Sequence, residues 1–174
     1  MDRLEYNGEV YTRTQSKWTD SRHVVVHQSL QKELNKLFME SIDYLSYSVE
    51  ELIQEGDKFK DSDSYADAVN FYEHAINKGG LEVIKMVLPR ISSCYRKCNM
   101  PRKTIELFTR VKREYGTEFI TPVLLTSVAA AYCDIKEYEN ALRCCKWAYS
   151  RFGGRADESL RLVYARISSE SGLC

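Results

Sequence analysis

A chain of 174 residues that is 44% hydrophobic is the size of one domain and can bury a core without disulfide or metal staples, so one cooperative unit is expected. No run of about 18 apolar residues occurs, the opening Met1-Asp2-Arg3-Leu4-Glu5 lacks the apolar stretch of a secretory signal, and three prolines and eight glycines leave no long flexible linker. The missing apolar run and signal stretch make a cytoplasmic protein the expectation, and twenty-five acidic residues balancing twenty-five basic ones remove any bulk attraction to nucleic acid or to an anionic membrane.

Residues 1–21 read as a short β-hairpin or arm. Asn7-Gly8 sits between alternating residues, and both positions tolerate the positive φ that a tight hairpin turn needs. Lys17-Trp18-Thr19 is the candidate for a third short strand. A sheet this small is marginal alone, so Tyr6, Tyr11 and Trp18 are expected to pack on helices; the alternative is an ordered arm with no sheet. In residues 22–47, Leu34, Leu37, Phe38, Ile42 and Leu45 form one apolar stripe of a helix that would cover the N-terminal end of a helical array.

Residues 49–150 contain an internal repeat. Three segments, 65–72, 101–108 and 138–145, carry the small residues Ala68, Thr104 and Ala141, which lie 36 and 37 apart. Twelve residues before each stands another small one, Gly56, Ser92 or Ala129. Nine before stands an aromatic, Phe59, Tyr95 or Tyr132, and sixteen before stands Leu52, Leu88 or Leu125. Two antiparallel helices approach closely only where a small side chain on each admits the bulky residues of the other. Each repeat, running from its leucine through its second small residue, therefore reads as one helix hairpin.

This pattern resembles the tetratricopeptide repeat (TPR) family. The first unit matches through Leu52, Gly56, Phe59, Tyr65, Ala68, Tyr72 and Ala75, and the third through Leu125, Ala129, Tyr132, Tyr138, Ala141 and Ala148. The middle unit departs, with Pro101 in place of a tyrosine and Thr104 and Val111 in place of alanines. The spacing exceeds the family's period of about 34, and no unit has the closing proline, Gly80 and Gly153 standing there in two cases. The resemblance implies a mostly α fold, an α-α superhelix of stacked antiparallel hairpins. After Gly153-Gly154, residues 155–174 place Leu160, Val163, Tyr164 and Ile167 at helical spacing, as a C-terminal capping helix would.

Catalytic patterns are weak. Cys94, Cys98, Cys133, Cys144, Cys145 and Cys174 lie in helical patterns without the paired spacing of a zinc site, and read as reduced, small apolar residues. His23 and His27 are four apart with no glutamate after His23, so the metalloprotease motif is missing, and His74 is isolated. Gly79-Gly80 reads as a helix terminator, not a phosphate-binding loop. A non-catalytic protein with no cofactor and no metal is expected.

By resemblance, the first helix of each hairpin lines a concave groove that holds a partner protein or peptide. The lining positions are then Ile53, Asp57 and Lys60 in the first unit, Arg90, Ser93, Arg96 and Lys97 in the second, and Thr126, Ala130 and Asp134 in the third. Family members that grip acidic chaperone tails use Lys, Asn and Arg at positions occupied here by Ile53, Asp57, Val123 and Ser127, which argues against that sub-function. Charge is polarised along the chain: residues 49–84 hold nine acids and three lysines, whereas residues 85–113 hold nine bases and one acid, Glu106. The basic stretch favours an acidic peptide, so an adaptor or scaffold is the leading expectation. Self-association of the acidic unit of one copy with the basic unit of another is the alternative. Nucleic-acid binding is weaker, because few aromatics interleave the bases.

Overall fold

A computed structural model describes residues 2–14, 17–152 and 158–172. The chain forms two compact units, Met1–Lys78 and Gly79–Cys174. It is mostly helical with one small antiparallel sheet.

In the first unit, β1 (Asp2–Tyr6) and β2 (Glu9–Thr14) pair with Tyr6 opposite Glu9 across Asn7-Gly8. Both turn residues have positive φ, 53° and 79°, as the Asn-Gly signal predicts. β3 (Lys17–Thr19) adds to β2, so the sheet has the order β1-β2-β3. The sheet is anchored by Trp18, which is fully buried, meets Phe38 edge-on at 5.9 Å and donates its Nε1–H to Asn35 Oδ1 at 2.8 Å. Tyr11 is also buried, while Tyr6 is half-buried.

The helix expected in residues 22–47 is α1 (Gln28–Ser41), capped by His27, whose ring accepts from the Ser29 N–H. Leu34 and Phe38 are buried, but Leu45 is 86% exposed and lies outside the helix. Ile42 takes an extended conformation (φ −73°, ψ 124°) and ends α1. The Asp43 carboxylate accepts from the Leu45 N–H, a local bond that competes with another helical turn.

α2 (Val49–Asp61) begins with a capping box in which Ser48 and Glu51 bond each other's backbone N–H. α3 (Tyr65–Lys97) is broken at Gly80, whose φ of 64° and ψ of −141° are non-helical, so its residues 65–79 and 81–97 act as separate arms. In the second unit come α4 (Pro101–Tyr115), a 3₁₀ turn at Thr117–Phe119, α5 (Pro122–Asp134), α6 (Tyr138–Phe152) and α7 (Glu158–Ser171). Residues Gly153 and Gly154 lie outside the described residues.

The repeated positions lie inside their respective units. Leu52, Leu88, Leu125, Gly56, Ser92, Ala129, Ala68, Thr104 and Ala141 are all buried, as are Phe59 and Tyr95, while Tyr132 is half-buried. The small residues are needed for clearance: a Cβ at Gly56 would lie 2.7 Å from the Tyr72 ring, and that ring is buried and held by Tyr72 Oη donating to Asp57 at 2.6 Å.

The turns repeat as well. Asp63, Asn99 and Lys136, again 36 and 37 residues apart, all have positive φ, between 57° and 62°. In each case the next residue's N–H reaches back to the carbonyl of the repeated aromatic: Ser64 to Phe59 at 2.9 Å, Met100 to Tyr95 at 2.7 Å, Glu137 to Tyr132 at 2.9 Å. A second bond closes each turn, Asp63 to Lys60, Asn99 to Arg96 and Lys136 to Cys133. These are three Schellman caps of the same geometry. Aspartate and asparagine tolerate the left-handed conformation, whereas a lysine there carries the Cβ penalty. Lys136→Gly should therefore stabilise the second unit by about 0.5–1 kcal/mol, measurable as a rise in urea midpoint; a fall would show that the Lys136 side chain makes a compensating contact.

Candidate functional site

Three helical segments of the second unit, the 81–97 arm of α3, α5 and α7, enclose a groove of about 550 Å³. Each contributes a two-turn stripe at helical spacing: Pro89, Ser92, Ser93 and Arg96; Val123, Thr126, Ser127 and Ala130; Ser159, Leu162, Val163 and Arg166. A stripe spanning seven residues is about 10 Å long. The lining is mainly apolar, and Leu162 is 65% exposed.

Charge collects where the C-terminal ends of the three segments meet. Arg96 donates from Nε to Asp134 Oδ2 at 2.6 Å, and Arg166 donates from Nη1 to Asp134 Oδ1 at 2.6 Å. Arg166 also donates from Nε to Glu170 Oε1 at 2.8 Å, and Tyr138 Oη donates to Glu170 Oε2 at 3.0 Å. Burial works against the Asp134 charge, but the bonds from Arg96 and Arg166 together outweigh it and hold the carboxyl below its usual range. Bonds from Arg166 and Tyr138 lower the Glu170 carboxyl likewise, and the Arg166 guanidinium, bonded to Glu170 and Asp134, loses its proton even less readily than usual. A pocket at this end is lined by Arg96, Lys97 and Arg166 against Asp134 as the one acid.

The structure thus brings together six of the positions expected to line a groove: Ser93, Arg96, Lys97, Thr126, Ala130 and Asp134. Arg90 is half-buried and does not line it. Ile53, Asp57 and Lys60 belong to the first unit. There Ile53 is buried, Asp57 accepts from Tyr72, and Lys60 pairs with Asp61 at 2.6 Å. A 370 Å³ cavity in that unit, lined by Asn35, Tyr44 and Asp67 among others, includes none of the three.

The third wall, α7, reads from the sequence only as a cap. The signal that would have found it is the repeat itself: Ser93, Ala130 and Arg166 are 37 and 36 apart, and so are Pro89, Thr126 and Leu162. α7 thus continues the lining register of the two segments before it.

Cys94, Cys133, Cys144 and Cys145 are buried among apolar residues. Burial pushes the Cys144 thiol up to about 11, so it stays protonated and a poor nucleophile at neutral pH. Among the described residues no three His, Cys, Asp or Glu side chains converge on a point that would hold a metal ion, and no helix is long and apolar enough to cross a membrane. His74 stacks flat on Tyr44, with ring centroids 3.9 Å apart. Comparison with protein-family models and with curated proteins yields no match to this chain.

Proposed function

We propose that this protein is a TPR-like helical repeat that works as a non-catalytic adaptor, holding a segment of a partner protein in the groove of the second unit. The observation that carries the reading is the three-walled groove, with its apolar stripe and its basic end, built from positions that share one sequence period. Three hairpin turns of one geometry support the repeat reading. In an α-α superhelix the lining helices stack side by side and leave a concave surface for an extended chain.

The reading is tested by placing a charge on the apolar wall. Leu162 is exposed, so Leu162→Glu should leave the melting temperature within about 2 °C of the parent, a surface change being worth less than about 0.5 kcal/mol. Affinity capture from the source cell, compared by quantitative mass spectrometry, should show the variant losing a protein that the parent retains. Equal capture by both would reject this groove as the binding face.

A further inference from the structure

The basic end of the groove already holds a carboxylate of its own. Asp134 lies between Arg96 and Arg166 and accepts from both, in the manner of a carboxylate arriving from outside. The arrangement is not saturated. A guanidinium has five N–H donors, and among the described residues Arg96 Nη1 and Arg166 Nη2 make no hydrogen bond. Side-chain exposures of 42% for Arg96 and 34% for Arg166 leave both guanidinium groups accessible. Ser92, on the groove wall, adds a buried hydroxyl with no hydrogen-bond partner among the described residues.

The apolar part of the site lies within about 10 Å of those arginines along the stripes. Val123 and Leu162 are both exposed there, and an aliphatic side chain would cover them. An occupant that is only anionic would leave that surface wet, and one that is only apolar would leave the guanidinium donors unused.

We infer that the groove, read as the binding face proposed above, takes a short extended peptide carrying an aliphatic side chain about three residues before an aspartate or glutamate, and that Asp134 is a built-in competitor for the same two arginines. The partner carboxylate shares or displaces Asp134 and uses Arg96 Nη1 and Arg166 Nη2. Asp134 weakens binding while keeping the two arginines from repelling each other when the site is empty.

The experiment uses the whole chain and two pools of fluorescein-labelled peptides, Leu-Xaa-Xaa-Asp and Leu-Xaa-Xaa-Asn, followed by fluorescence anisotropy at low salt. The parent should prefer the aspartate pool. Asp134→Asn should bind that pool about tenfold more tightly, the worth of one charge-assisted hydrogen bond, and the double variant Arg96→Gln/Arg166→Gln should lose the preference. A circular dichroism melt of each variant confirms folding. Asp134→Asn binding no tighter than the parent, equal affinity of the parent for both pools, or no binding of either pool overturns the inference. So does displacement of the peptides by a random single-stranded oligonucleotide at lower concentration than unlabelled Leu-Xaa-Xaa-Asp, since the arginines would then serve phosphate. Leu162→Glu separates the two levels: if it abolishes peptide binding while the two pools bind alike, the groove stands and the carboxylate reading falls; if it changes nothing, the groove itself falls.

Discussion

Arg13→Met is expected to destabilise the first unit by about 3 kcal/mol or more, the cost of stranding a buried charge whose partner has gone. Arg13 is 3% exposed. Its Nη1 donates to Glu55 at 2.8 Å and to Asp2 at 3.3 Å, and its guanidinium lies 4.8 Å from the Phe38 ring centroid and 4.2 Å from that of Phe59. Removing Arg13 leaves the buried Glu55 carboxylate with only the half-buried Lys58 ammonium. The pair is not expected to be a net source of stability. Two buried nitrogens of Arg13, Nε and Nη2, have no hydrogen-bond partner among the described residues, and desolvation of an ion pair commonly cancels its attraction. The double variant Arg13→Met/Glu55→Leu should therefore recover most of the loss. The check is urea unfolding followed by Trp18 fluorescence in a Trp147→Phe background, because each unit holds one of the two tryptophans. A single variant within about 1 kcal/mol of the parent, on the order of a surface change, would show that the Arg13 contacts do not hold the sheet.

Trp18→Ala is expected to cost about 3–5 kcal/mol, through the lost burial and the cavity left behind. The indole is fully buried, and its removal also strands Asn35 Oδ1, at a residue only 8% exposed. Trp18→Phe keeps most of the volume and should lose less than half as much. Gln31 holds the same strand by its backbone, accepting from the Trp18 N–H at 2.9 Å and donating to the Trp18 carbonyl at 2.8 Å. Those two bonds do not replace the apolar anchor, since a three-stranded sheet without a packed face is marginal. Hydrogen exchange should show the β1 and β2 amides of Trp18→Ala losing protection while the α5 and α6 amides keep theirs. Retained protection in β1 and β2 would mean that the sheet stands without its anchor.

The Arg13 effect lies where residue-by-residue reading reached least far. The alternation of residues 4–13 around the Asn7-Gly8 turn predicts the hairpin, and the marginal stability of so small a sheet predicts that Trp18 packs on helices. Nothing local in Glu-Val-Tyr-Thr-Arg-Thr says that Arg13 is buried in β2 along with Tyr11. Its partner, Glu55, is 42 residues away on another element.

The same division runs through the second unit. Small and aromatic residues at a fixed period predict helix hairpins, and the helices are present with the small residues buried and Tyr132 alone of the repeated aromatics half-buried. Asp63 and Asn99 are recognisable turn residues, but Lys136 is not, and only the matching bond pattern shows the three turns to be alike. Leu45, one apolar residue too many for α1, shows how a periodic pattern overruns a helix when a local Asx bond ends it first.

The sequence alone determined where helices lie, short of their exact ends, which faces are apolar and where small side chains must stand, because those depend on a 3.6-residue period and on neighbours within one hairpin. Tertiary structure decided which charges meet. Arg96 reaches Asp134 across 38 residues and Arg166 reaches it across 32, and only the side-by-side packing of the α3 arm, α5 and α7 makes one basic end of three separate helices, because a hydrogen bond of under about 3 Å tolerates almost no error in how they align.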